Sequence, residues 1–428
     1  MRKAIKALGR ELRRPINNNR GIALMVATAA IMLIMYFAME VSYDSNVEYL
    51  VNSQGLNRVK AYYAAKSGMQ LSLLRIKIYQ QAQSKLGSTL GNSPLLDEIW
   101  KFPFAWPLPI PDELSAIDKD NFQKAVKDST MDASYIITIE DEGSKIDLND
   151  LNSPSKVLRD ATKNQLLNIF IQQIKDNEDF AKKYANERFE ELVNSIADWM
   201  SDKRTSLNGG DKRARYNEMN QLAQVDYYPP NRSFRTLAEL HMVPGMNDDF
   251  YELLAPRITI YGMKGINPNL ASKDVLKSLD PAMTDEAVSE IIKRREDQNE
   301  GGPFKCDANG GSQDFWNFVT SRGVRLQGDP NLIPMVCDTV MSFKIRSTGE
   351  FAGAVREITA IVVDLNKMAT KVKDYVDKEK KAEGGGGEST GTGTGTGGNA
   401  GSGTGGSGTT AKDPIPKGPP RVVYWNER

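Results

Sequence analysis

The sequence predicts an α+β fold: a long N-terminal helix packed on a small antiparallel sheet, a large all-helical insertion, and a disordered Gly/Thr-rich tail. Three observations predict it. Residues 21–39, GIALMVATAAIMLIMYFAM, carry no charge, and no proline occurs from Ile16 through Ser93, so one helix can run through both stretches. Strand-like alternation appears at Ala133–Asp141 and again near residues 341–365, with helical patterning between. Residues 384–410 are almost entirely Gly, Thr and Ser, too poor in apolar side chains to offset the entropy of ordering themselves.

The first element is the apolar helix. Seven basic residues (Arg2, Lys3, Lys6, Arg10, Arg13, Arg14, Arg20) against the single acid Glu11 precede it. About 20 apolar residues suffice to cross the hydrocarbon core, and the basic flank predicts a cytoplasmic N-terminus with everything after Glu40 exported. Three readings of this segment compete. A secretory signal would end in small residues, but Tyr36-Phe37-Ala38-Met39 is a poor cleavage site. A plain membrane anchor fits the hydropathy. A prepilin-type leader would be cut on the cytoplasmic side of the apolar run, between Gly21 and Ile22. After Val41, apolar residues recur three or four apart at Val47, Leu50, Val51, Val59 and Tyr63, predicting an amphipathic continuation that packs on a soluble domain, with Gly55 and Gly68 as its weak points.

Residues 92–113, rich in Pro and aromatics, read as an irregular crossing segment. Ala133–Asp141 is β-branched and alternating, hence a strand. Met341, Phe343 and Ile345 alternate with polar residues, a turn is expected at Ser347–Glu350, and residues 352–365 alternate again, forming a hairpin. A sheet begun near 135 and resumed near 340 makes the helical block an insertion. The expected organisation is a leader over 1–21, the N-terminal helix over 22–85, the two sheet portions over 86–150 and 331–382, the insertion over 151–330, a linker over 383–412 and a C-terminal motif over 413–428. That last motif, ending RVVYWNER, reads either as a docking strand or as a solvated end.

Composition restricts function. Overall charge is zero, yet removing residues 1–21 leaves 48 basic and 54 acidic residues, net −6. An acidic exported chain is a poor electrostatic partner for nucleic acid. Cys306 and Cys337 are the only two cysteines; in an oxidising compartment they can form one disulfide, or they can be two buried thiols. The single histidine, His241, reads as a helix-surface residue, and no Gly-x-Ser-x-Gly elbow, phosphate loop or Cys/His metal cluster occurs. The expectation is a non-enzyme.

The segments IDLNDL, NSIADWMSDKRTSLNGGDKRARY, FRTLAELHMVPGMNDDFYELLAPRITIYG and INPNLASKDVLKSL follow in this order. Together they resemble the type II secretion minor pseudopilin K family across roughly residues 14–365. The resemblance implies a pilin-like fold with a helical insertion and processing by prepilin peptidase at Gly21-Ile22. It also implies an inner-membrane, single-pass location with a periplasmic C-terminal domain, and a place at the pseudopilus tip with minor pseudopilins I and J above an inner-membrane assembly platform. If Ile22 is the new N-terminus, the fifth residue is Val26, where most pilins have Glu. A carboxylate unpaired in a bilayer costs several kcal/mol, so an apolar residue suits a subunit with no neighbour ahead.

The family also implies a calcium site in the loop after the Asp-Trp pair, with Asp198, Asp202 and Asp211 as candidate ligands and Asp147 and Asp150 as further carboxylates near turns. Ser201 and Lys203 stand where the family has acids, and five basic residues in SDKRTSLNGGDKRAR oppose a cation. The reading favoured here makes Asp198 and Asp202 surface or helix-capping residues. Residues 237–304 also resemble tandem helix-hairpin-helix units, which in DNA-uptake proteins present backbone N–H groups to phosphate. Gly245 suits such a hairpin, whereas Asp280, Asp285 and Glu286 would repel phosphate, so protein packing is expected and no nucleic acid. The alternative is an anchored periplasmic DNA-uptake or scaffold protein.

Overall fold

A computed structural model describes residues 19–90, 94–108, 119–120, 124, 126–129, 131–224, 228–306, 312–337, 339–384 and 420–428. The expected leader through Asn18 and the expected linker from residue 385 lie outside the described residues. Helix α1 (Asn19–Leu90) runs unbroken for 72 residues, roughly 110 Å at the helical rise. It is followed by α2 (Pro94–Lys101), β1 (Phe104–Trp106), β2 (Ser134–Asp141) and a two-residue strand β3 (Ile146–Asp147). The described part of segment 92–113, residues 94–108, is therefore more regular than its composition suggested. Arg75 organises it from α1, its guanidinium donating to the carbonyls of Ile99, Trp100 and Phe102 at 2.9, 3.2 and 2.5 Å.

The stripe by which α1 packs differs from the one expected. Val47, Leu50, Val51, Val59 and Tyr63 are exposed, and the buried positions are Ala61, Ala64, Ala65, Met69, Ser72, Ile76 and Tyr79. Small residues win because the helix lies very close to the sheet. A Cβ on Gly349 would run into the Ala61 carbonyl and the Ala65 amide, and one on Gly68 into the Ser347 hydroxyl. Ser347 uses that proximity to donate to the Ala65 carbonyl at 2.8 Å. Gly68 is thus a packing residue rather than a weak point.

The sheet has five strands in the order β1-β2-β5-β6-β7, where β5 is Ser342–Phe351, β6 is Ala354–Val363 and β7 is Arg421–Glu427. All pairings are antiparallel, and β2 and β5 match from Ser134↔Glu350 to Asp141↔Phe343. The hairpin turn is not at Ser347–Glu350, which lies inside β5. It is at Ala352-Gly353, with φ of 47° and 78°, the double positive φ that two-residue hairpins favour because its twist matches that of the strands. After β6 comes α11 (Leu365–Gly384), where the sequence reading had only hairpin. Its Glu379 carboxylate accepts from Ser155 Oγ, Lys156 N and Val157 N at 2.7, 3.1 and 2.9 Å, capping the insertion's first long helix.

The insertion departs at the end of β2 and returns at the start of β5. It holds α3 (Lys156–Asp176), α4 (Glu178–Tyr184), α5 (Phe189–Met200), α6 (Lys212–Ala223), α7 (Asp248–Leu254), β4 (Ile258–Thr259), α8 (Lys273–Lys277), α9 (Asp285–Glu296) and α10 (Gln313–Ser321). It has its own core, centred on Phe170, Trp199, Phe250, Phe304 and Phe315, separate from the core between α1 and the sheet. The parallel pair β3–β4 ties its two halves. Cys306 and Cys337 are bonded, with Cα atoms 5.2 Å apart. Closing a loop of that length stabilises the fold by about 3–4 kcal/mol on the chain-entropy account, and the bond fixes the insertion's exit.

Candidate functional site

The first functional surface is the bare half of α1. Ile22, Leu24, Met25 and Val26 are all more than 60 % exposed, and Gly21 has nothing close to it. Among the described residues this is the one helix long and apolar enough to cross a membrane. It is compatible with a single-pass anchor. The Gly21–Ile22 bond lies in its first turns, and Val26 one turn on.

The second is the loop between α5 and α6. Asp198 is neither a surface nor a capping residue: it is 4 % exposed, accepting from Ser206 Oγ at 2.6 Å and from Leu207 N. Its place on the inner face of α5, beside Trp199, follows from the amphipathic run Leu192-Val193-Ile196-Trp199. Asp202 is exposed. Asp211 caps α6, accepting from Arg213 N at 2.9 Å. The loop closes on itself through Gly209 and Gly210, both at positive φ, and through the Thr205–Asp211 bridge.

At its centre lies Lys212, 5 % exposed. Its ammonium donates to the carbonyls of Asp198 and Ser201 at 2.9 and 2.6 Å and to Asn231 Oδ1 at 2.7 Å. Those three acceptors match the three N–H donors of the side chain. Burial pulls the Lys212 amine below its ordinary range, opposed by Asp198 and Asp202. Calcium requires six to eight oxygens at 2.3–2.6 Å. Here the carbonyls are spent on an ammonium and the Asp198 carboxylate on a hydroxyl and an amide. Among the described residues no three His, Cys, Asp or Glu side chains converge as ligands. The donor set does not fit calcium. Sequence reasoning counted Lys212 only as opposing a cation; Ser206 and Asn231 gave no signal, because their roles depend on contacts between segments.

The third is the hairpin pair. Gly245 sits at φ +88° in the turn before α7. In the second hairpin Asp280 is 2 % exposed, and its carboxylate accepts from Ala282 N, Gln327 N and Gly328 N at 2.8, 2.9 and 3.0 Å. The turn's amides are thus met by an internal carboxylate. Asp285 pairs with Lys273 and Lys277, Glu286 is exposed, and His241 is exposed on a short helical turn near Asp248.

Where the insertion meets the sheet, Lys264 Nζ bridges Asp147 and Asp150 at 2.5 and 2.7 Å. Lys264 has a φ of 64°, and Gly262 beside it leaves room for Asp147. Burial, then the neighbouring Asp147, pushes the Asp150 carboxyl up to about 7 against the pull of Lys264. Burial likewise raises Asp141, at the end of β2, to about 7 despite its bond from Gly143 N. These groups lie at the junction between the insertion and the sheet.

Residues 144–263 match the family model described as type II secretion system (T2SS), protein K. No curated protein matches the chain. Among solved structures, a chain of the GspK-GspI-GspJ complex from the enterotoxigenic Escherichia coli type 2 secretion system is similar, with a TM-score of 0.46 and 17 % identity over 74 % of this chain and 95 % of that one. The matched segment runs from just after β2 through β4 to Met263 and contains three of the four ordered motifs, so over these residues the chain is similar to type II secretion system protein K.

Proposed function

We propose that the protein is the minor pseudopilin at the tip of a type II secretion pseudopilus, helping to initiate or cap its assembly for export of folded proteins across the outer membrane. In this reading prepilin peptidase cuts between Gly21 and Ile22. The mature helix sits in the inner membrane with its C-terminal domain in the periplasm, and minor pseudopilins I and J bind alongside it above the assembly platform. The single observation that carries the reading is the bare apolar half of α1, exposed and uncharged from Ile22 to Met39, with Val26 where a shaft subunit would hold a carboxylate. Such a surface meets lipid and neighbouring helices, and lacks the charge needed to pair with a subunit ahead. The bulk of the insertion supports the same reading, since a unit of this size is accommodated once at an end more readily than at every step of a shaft.

The test is the intact mass of the membrane-extracted chain, expressed with and without prepilin peptidase and with I and J co-expressed. Loss of residues 1–21 only with the peptidase, and co-purification of I and J in one-to-one amounts, is the expected result. An uncut chain that recovers neither partner would overturn the proposal.

A further inference from the structure

Strand β7 is separated from α11 by roughly 35 residues of mostly Gly, Thr and Ser, yet it completes the sheet. It pairs antiparallel with β6 from Ile358↔Glu427 to Val363↔Arg421, with a bulge at Ile361/Val362. The ladder is closed at its end by Glu357 and Arg428, whose amides and carbonyls exchange bonds at 3.0 and 2.9 Å. Beyond the ladder, Glu427 accepts from Tyr62 OH of α1 at 3.2 Å, and Tyr424 packs on the margin of the core between α1 and the sheet and faces Tyr261 with ring centres 6.4 Å apart. Val422, Val423 and Trp425 remain 39–41 % exposed.

The strand it covers is different. Ile358, Ala360 and Val362 of β6 are fully buried, Ile361 and Val363 nearly so. Without β7 this strand would present a long apolar edge with open N–H and C=O groups, the kind of edge that recruits any extended chain.

We propose that the outer edge of β6 is a strand-binding surface whose ligand is an extended segment of about seven residues, and that β7 is its tethered, exchangeable occupant. Affinity comes from the antiparallel backbone ladder, and selectivity from an acid placed to reach Tyr62 and an aromatic placed against Tyr261. Because β7 belongs to the same chain as the edge it covers, its local concentration there is on the order of 1 mM. That suffices to keep the edge filled against dilute competitors, and it yields to a segment delivered at higher local concentration by an adjoining subunit.

The experiment uses the full chain in detergent micelles with a protease site placed within residues 390–410, and a fluorescent peptide of residues 420–428 at about 20 µM as probe. Uncut chain should bind the peptide at roughly one-fiftieth of the occupancy seen after cutting and gel filtration, the ratio of 20 µM to about 1 mM. Hydrogen exchange on the intact, uncut chain provides a second readout that does not require the cut product to stay soluble. The β7 amides should exchange at least 100-fold faster than those of β2 and β5. Retention of β7 by the cut chain at nanomolar dilution, failure of the emptied edge to take the peptide, or β7 protection equal to that of β5 would each overturn the proposal.

Discussion

Replacing Lys212 with Met keeps the length of the stem and removes the ammonium. Three acceptors then lose their donor: the carbonyls of Asp198 and Ser201 and the side-chain oxygen of Asn231. A hydrogen bond from a charged donor is worth about 1.5–3 kcal/mol net, and each buried acceptor left bare costs about 1–3 kcal/mol. The apolar replacement recovers the desolvation penalty of the ammonium, and water entering from the exposed side of the loop meets part of the demand. The balance is a loss of about 3 kcal/mol, which for a unit of this size lowers its melting temperature by roughly 6–12 °C. The assay is thermal unfolding of the purified full chain by circular dichroism, with 1 mM calcium and with EDTA. Wild type should melt at the same temperature in both, and Lys212→Met well below it. If Lys212→Met melts within 1 °C of wild type, or if EDTA lowers the melting point of wild type, the account of Lys212 as the loop's own cation is refuted.

Asp141 and Asp150 both titrate near 7 in the folded chain, chiefly through burial. A carboxyl raised in the folded state contributes stability fully present below its unfolded value near 4 and lost as pH rises through about 7, roughly 4 kcal/mol for Asp141 by linkage. Melting should therefore rise from pH 8 to pH 5, and Asp141→Asn should remove about half of that slope while stabilising the chain at pH 8. Glu379→Ala strips the cap from the first turn of α3 and should cost about 1 kcal/mol, read as an earlier thermal or urea transition. Two glycines separate mechanisms: Gly349→Ala drives a methyl into the α1 backbone and should cost about 2–3 kcal/mol. Gly353→Ala, in open space at φ +78°, should cost about 1–2 kcal/mol through backbone strain alone. Equal losses in urea titrations would remove the close-approach explanation for Gly349.

The long helix and the nested topology were legible because their signals are local: a proline-free run, an uncharged span, and strand alternation on either side of a helical block. The packing stripe of α1 was not. A helix that lies this close to a sheet uses Ala61, Ala64, Ala65, Gly68 and Ser72, which hydropathy cannot tell from solvent-facing residues, while Val47 and Leu50 stay outside. Helix α11 did carry a signal, in Leu365, Met368, Val372 and Tyr375 at helical spacing, but the strand just before it masked the change of period. At the candidate site the sequence located the right loop and the right hairpin. It could not show that each holds its own counter-ion, because Lys212 meets Asn231, and Asp280 meets Gln327, only after the chain has folded back. The pairing of β7 was hidden for the same reason, across the full length of the tail.

The insertion leaves β2 after Asp141 and rejoins β5 at Ser342, beside Phe343, the residue directly across the ladder from Asp141. Its two ends are therefore about one strand spacing, roughly 5 Å, apart. Covalently it is a side branch whose entry and exit lie side by side, steadied further by Glu379 of α11 against α3 and by Tyr424 of β7 against Tyr261. Tension or torque carried along α1 enters the sheet through the contacts at Gly68, Ser347 and Gly349 and never threads the branch. The covalent path of load from α1 through the sheet bypasses the branch, so its outer surface can change bulk, contour or charge while Met263 and Val336 keep their places in the core between α1 and the sheet.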